Sequence, residues 1–412
     1  MNTSDQETRL VTPRISSQIN VVGDDLANSF RSLLDSIPGQ PSAAREMAKA
    51  LSVDKILVHK LLSALRSKDP LATAHSIPGP EPLMRVVKAA KAKGVPQEIV
   101  RAAEGAVSSF RRLIKQQAGD RSGLDAIIST LLPDARERFE TMAKQSIYRG
   151  IRQLKGLAAD VAFSTMFIYP RSQADRFDFV TLRGFLGLRC VRPGAALKVA
   201  VISDVENMDA SLLTLDGAPV TDPRDIVLPR YCAGPSATFT VFEKGASRIF
   251  SIGWGEAVGP STACDVVVGE QRQNAMRRWR APDDPRKLTG VNDGVSVPTR
   301  TYVFDLLMDE AVYPNWTPYA RVLEMGEQGL ADPNDESREI DVLDMDVQVK
   351  PMGFGIERFR AKEIPNYMDL LAYACEKVAV SPNRLRGYRT RIEYPVFGTN
   401  VQFAFDIPVS PA

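Results

Sequence analysis

Residues 134–169 read DARERFETMAKQSIYRGIRQLKGLAADVAFSTMFIY, and the hydrophobic period changes within them. Up to Leu154, the residues Phe139, Met142, Ala143, Ile147, Ile151 and Leu154 return every three or four positions, the spacing of one helix face. From Val161 to Tyr169, apolar, β-branched and aromatic residues follow one another almost without a break, which suits a buried strand. The chain therefore divides near residue 158 into a helical part and a β-rich part.

Upstream of that border the texture is helical throughout. Leu26, Phe30, Leu33 and Leu34 share a face that stops at Pro38-Gly39. Short helices are expected at about 42–51 and 54–66, with Pro70 and Pro78-Gly79-Pro80 breaking the pattern. A helix near 81–93 ends at Gly94, a longer one follows Pro96 to about 118, and a short one spans about 123–132. Residues 1–22 lack strong periodicity and read as a flexible arm. Downstream, strands are expected over 161–169, 185–191, 197–203, 237–242, 248–252, 264–268, 301–307 and 401–405. Helices are expected over 270–280 and 365–380. Nineteen of the 28 prolines fall after residue 158, as many short strands with many loops require. The expected fold is α+β and multidomain: an arm at 1–22, a helical domain at 23–158, and a β-rich region at 159–412 of one or two subdomains.

Composition narrows the function. Hydrophobic residues make up 44% of the 412 and charged residues 25%, an ordinary globular balance. No apolar run approaches the ~18 residues of a membrane span, and the polar start MNTSDQETRL is unlike a secretory signal, so a cytoplasmic protein is expected. The four cysteines, at 190, 232, 264 and 375, form no C-x-x-C pair. Only two histidines occur, His59 and His75, which removes His-based triads and zinc motifs from residues 76–412. Residues 1–150 hold 22 Lys+Arg against 16 Asp+Glu, whereas the whole chain is only +2. A polyanionic partner would therefore meet the N-terminal part.

One motif there carries chemistry. In Ala44–Leu62, AREMAKALSVDKILVHKLL, Ala48 is a small residue suited to a helix crossing. Met47, Leu51, Val53, Val58 and Leu61 form the inward set. Ser52-Val53-Asp54 makes the turn, with Asp54 as N-cap. This resembles the helix-turn-helix of bacterial transcriptional regulators, over about 20 residues. The family usually has Gly where Ser52 stands, because the turn needs φ > 0. At 100° per residue, Val58, Leu61, Leu62 and Leu65 share one side of the second helix, and Ile56, His59, Lys60 and Ser63 the other. The resemblance implies that Lys55, Ile56, His59, Lys60 and Ser63 meet bases, and that Arg45, Lys49 and Arg66 meet phosphates. It also implies a homodimer on duplex DNA, with the helices at 96–118 and 134–157 as pairing candidates. The same spacing occurs in helix pairs that only pack a core or bind protein.

Other signals are weaker. Gly253-Trp-Gly255-Glu-Ala-Val-Gly259 reads as a hairpin turn, because Pro260 and a strand follow where a phosphate loop would open a helix. The carboxylates between Asp332 and Asp346 lack an EF-hand pattern and read as a solvated loop. The arginines at 272–280 suit a solvated helix packing Met276 and Trp279, and those at 384–391 suit one face of a strand. No nucleophile–base pair, Walker loop or dinucleotide fingerprint is present, and no cofactor or metal is expected. The sequence thus points to a DNA-binding regulator whose β-rich region binds a ligand or partner. A scaffolding protein is the alternative, and a carboxylate- or metal-dependent enzyme the third reading.

Overall fold

The computed structural model describes residues 3–39, 41, 43–170, 175–203, 212–235, 237–244, 247–314, 316–326 and 329–410, with side chains omitted at a few of them. The chain forms two compact units, Met1–Met142 and Ala143–Ala412.

The first unit is all helical. It contains α1 (Thr3–Asp35), α2 (Ala44–Leu51), α3 (Lys55–Leu65), α4 (Pro70–Ser76), α5 (Pro80–Ala92), α6 (Gln97–Leu113), α7 (Arg121–Ser129) and the start of α8 (Pro133–Lys155). The residues expected as a flexible arm, 1–22, are helical where they are described. Thr3 to residue 22 belong to α1, and Ile19 is fully buried, so the helix begins well before Leu26. Residues 1 and 2 of that arm lie outside the described ones. Pro70 is also not a simple breaker. It opens α4 in the first turn, where its missing N–H costs nothing, and Asp69 caps the helix by accepting from Leu71 N at 2.9 Å. Leu26, Phe30, Val87, Val100, Val107 and Phe110 meet in the core.

Where α1 passes α4, side-chain volume runs out. A Cβ at Gly23 would overlap the Pro70 carbonyl oxygen. Gly23→Ala is therefore expected to destabilise this unit by about 1–3 kcal/mol, although Ala is the better helix former. Denaturant unfolding followed by circular dichroism measures it; a stabilised variant would show that the helices separate freely.

The second unit begins within α8, upstream of the border expected near 158. The only residue between α8 and the first strand is Gly156, at φ 74°, so there is no linker to mark a boundary. The strands are β1 (Leu157–Pro170), β2 (Arg176–Cys190), β3 (Ala196–Ser203), β4 (Leu212–Leu213), β5 (Thr238–Lys244), β6 (Ser247–Gly253) and β7 (Cys264–Arg277). They continue with β8 (Leu288–Gly294), β9 (Thr299–Asp309), β10 (Tyr319–Glu324) and β11 (Lys350–Phe354). After α9 (Tyr367–Lys377) come β12 (Leu385–Glu393) and β13 (Thr399–Asp406).

A seven-stranded sheet has the order β11-β12-β9-β1-β2-β7-β4, flanked by sheets β10-β13-β8 and β3-β6-β5. Its centre is the parallel pair β1–β9, with Phe163 opposite Val303. Both faces are covered. Ala162, Met166, Phe304 and Leu306 pack towards Phe250 and Phe403 of the small sheets. Phe163, Phe167, Val303 and Leu307 pack towards Leu370, Leu371 and Ala374 of α9. Burial on both faces is why β1 and β9 read as continuous apolar runs and not as alternation.

The expected helix over 270–280 is a strand. β7 runs to Arg277 and pairs with β2, so tertiary pairing overrides a polar, helix-compatible sequence. One of its two register shifts spans Asn274, at φ 55°, whose N–H donates to Asp178 Oδ1 at 2.8 Å. Gln271 is buried and donates to the Thr214 and Leu215 carbonyls at 2.9 and 3.0 Å. The stretch 253–259 is not a hairpin turn either. It links β6 to β7, which lie in different sheets.

Candidate nucleic-acid interface

The helix pair at 44–62 forms with its turn where the spacing places it. Met47, Ala48 and Leu51 of α2 are buried, as are Val58, Leu61 and Leu65 of α3, while Leu62 is half-buried. Leu57, absent from the inward set read from sequence, is buried too; its spacing to Leu61, Ala64 and Leu65 is the signal that could have included it.

The turn is specified by two residues. Ser52 adopts φ 55°, ψ 40°, the left-handed region, at the position where the resemblance leads one to expect Gly. Val53 N–H reaches back to the Ala48 carbonyl at 3.1 Å and Ser52 N–H to Lys49 at 3.3 Å, closing α2. Asp54 then opens α3, its Oδ1 accepting from Ile56 N at 2.8 Å and Leu57 N at 3.0 Å. A β-carbon in the left-handed region is strained, so Ser52→Gly is expected to stabilise the helical unit by about 0.5–1 kcal/mol. Thermal melts check this, and an unchanged or lower midpoint would show that Ser52 bears no strain.

A third support was not legible. Arg31 of α1 donates from Nη2 to the Leu65 carbonyl at 2.8 Å and to the Ser67 carbonyl at 3.0 Å. It satisfies the open carbonyls at the end of α3 and ties that helix to α1. The contact spans more than thirty positions, and no local pattern marks it.

With one face of α3 buried, the other is free. Lys55, Ile56, His59, Lys60 and Ser63 are all exposed, Ile56 at 67%. Arg45 and Lys49 on α2 and Arg66 just beyond α3 are exposed as well. None of these basic side chains has an ion pair among the described residues, whereas basic groups elsewhere in the unit do, as Arg111 with Glu81 at 2.7 Å. The structure thus brings all eight expected side chains to the surface, seven of them on two successive short helices and Arg66 at the C-cap of the second. His75 is different: half-buried, it lies 3.3 Å from Asp125 in a small ion cluster with Arg121.

Of the two helices expected to pair copies, α6 is corrected. It turns Val100, Ala103, Val107 and Phe110 into the core of its own unit, which leaves no apolar face over. On α8, Ile147 and Leu154 are exposed at 43% and 71%.

The weaker signals resolve into structural roles. In the acidic stretch, Asp332 accepts from Asn334, Asp335 caps a short turn at Ser337, Asp341 pairs with Arg338, and Glu339 with Arg321. Among the described residues no three His, Cys, Asp or Glu side chains are grouped as a metal would need. The arginines at 384–391 do not share one strand face. Arg384 binds Asp309 at 3.0 Å and Arg386 binds the Val312 carbonyl at 2.8 Å. Arg389 binds Asp305 at 2.7 Å, and Arg391 binds Glu363 at 2.9 Å. Each guanidinium is occupied.

No helix among the described residues is long and apolar enough to cross a membrane. No family model matches this chain and no curated protein matches it in sequence, so its function is argued from α2, Ser52 and α3 themselves.

Proposed function

We propose that this chain is a sequence-specific DNA-binding transcriptional regulator of the cytoplasm whose β-rich unit binds a ligand or a protein partner. One observation carries the reading: Lys55, His59 and Lys60 stand exposed, and without ion pairs among the described residues, on an α3 whose other face is buried and whose two ends are fixed. In a major groove, Lys55, His59, Lys60 and Ser63 reach base edges, and Ile56 meets a thymine methyl. Arg45, Lys49 and Arg66 hold phosphates, which sets the register without reading sequence. A homodimer belongs to the proposal, since two such helices reading half-sites about 34 Å apart gain affinity together. Ile147 and Leu154 of α8 offer an apolar face for it.

Gel-shift titration against genomic fragments tests the reading. Binding is expected at 50 mM salt and is expected to weaken on the order of 10³-fold by 200 mM, as counterion release requires for several phosphate contacts. Failure to retain any duplex at low salt would overturn it. The same exposed Ile147 and Leu154 favour a scaffolding protein as the second reading. A large regular assembly in a sizing measurement, with no DNA retained, would support that alternative.

A further inference from the structure

Beneath the seven-stranded sheet, where β1, β2 and β9 meet β3 and the end of β8, lies a cavity of about 180 Å³. Its polar wall is built from distant parts of the chain. Arg183 of β2 donates from Nε to Asp293 Oδ1 at 2.7 Å, and Tyr302 of β9 donates from its hydroxyl to Asp293 Oδ2 at 2.7 Å. Asp293 is thereby satisfied by protein. Arg183 is not: its two terminal nitrogens have no acceptor among the described residues, although the side chain is only 27% exposed. Such a free guanidinium end matches the two oxygens of a carboxylate.

Among the described residues, the charges around it leave one positive charge over. Arg183 is balanced by Asp293, and Glu270, which also faces Arg183, is balanced by Arg272 at 3.8 Å. Lys198 of β3 lines the same cavity, is exposed, and has no ion pair among the described residues. Apart from Ser296, the remaining wall is mainly apolar, with Phe185, Val199, Val295 and Val297 prominent in it. An apolar cavity of ~150 Å³ holds a benzene ring, so this one has room for a single ring or a short branched chain beside the cations.

We infer that this cavity binds a small organic monocarboxylate, its carboxylate on the free end of Arg183 and near Lys198, its compact apolar body against Phe185 and the three valines. The inference rests on reading the β-rich unit as a ligand-binding region and is independent of DNA binding by α3.

The test uses the full chain without DNA, with benzoate as probe and benzamide as its neutral isostere. Ligand-observed NMR and valine methyl shifts report occupancy. Benzoate is expected to bind with Kd of about 1 mM or tighter, for so few atoms, and to shift methyls of Val199, Val295 and Val297. Benzamide is expected to bind at least tenfold more weakly. Arg183→Lys keeps the partner for Asp293 but loses the two-pronged donor, and should weaken benzoate about tenfold. Lys198→Gln, at an exposed position that leaves the fold intact, should weaken it about threefold. Equal binding of benzamide, benzoate affinity unchanged in both variants, or no methyl shift at saturating probe would each overturn the site. A gel-shift failure would leave these outcomes untouched, so the two proposals fail separately.

Discussion

Replacing Lys55 and Lys60 together by alanine is expected to weaken binding to a specific duplex by about 30-fold or more. The magnitude follows from two lost base contacts, each worth roughly 1–3 kcal/mol. Both side chains are exposed and have no ion pair among the described residues, so the fold should not change. A charge-matched control separates this from net charge. Lys287→Ala with Lys362→Ala removes the same two charges from exposed positions in the β-rich unit and should leave affinity nearly unaltered. Fluorescence anisotropy against salt reads both effects. Equal losses in the two variants would mean that bulk charge, and not α3, holds the duplex.

The largest stability effect belongs to a different place. Asp305 is completely buried beside β12 and α9. It accepts from Arg389 Nε at 2.7 Å, from Arg389 Nη2 at 2.7 Å and from the Tyr367 hydroxyl at 2.6 Å. Thr165 lies 2.6 Å from that same hydroxyl, and Arg389 also holds the Phe359 and Arg360 carbonyls. One carboxylate thus joins β1, β9, β12 and α9. Burial opposes the charge on Arg389, but Asp305 more than offsets it and the guanidinium is held above its ordinary value. Burial also raises the Tyr367 hydroxyl well above its usual range, so it remains a donor. Asp305→Ala strands the buried Arg389 cation and the Tyr367 hydroxyl and is expected to cost about 3–5 kcal/mol. At about 2–4 °C per kcal/mol, the midpoint of the β-rich unit should fall by roughly 6–20 °C. Calorimetry measures it. A fall under about 2 °C would show that water reaches the site and that the network holds little together.

How far the sequence could be read follows from the range of each interaction. The helix pair was legible because its determinants are local: the inward residues are three or four apart, Asp54 caps its own helix, and Ser52 bends its own backbone. The division into helical and β-rich parts was legible from the change of period before Val161. The strand order was not. β1 and β9 are parallel neighbours separated by well over a hundred residues, and nothing local links Phe163 to Val303. β7 was misread because Gln271–Arg277 takes its conformation from pairing with β2. The short strands β8, β10 and β11 carry too little apolar pattern to stand out. The candidate interface divides in the same way. Its exposed side chains follow from helix geometry, whereas the Arg31 clamp depends on packing of α1. The cavity at Arg183 depends on three sheets coming together.

The central claim is that the outward face of α3 lies against DNA, and a photo-crosslink tests it most directly. A photoreactive residue in place of His59, in the middle of that face, is to be compared with one in place of Lys362 in the β-rich unit. With the retained duplex, crosslinks are expected at position 59 and absent at 362, and they should disappear with competitor DNA of the same sequence. A duplex that is bound yet crosslinks only at 362 would contradict the account.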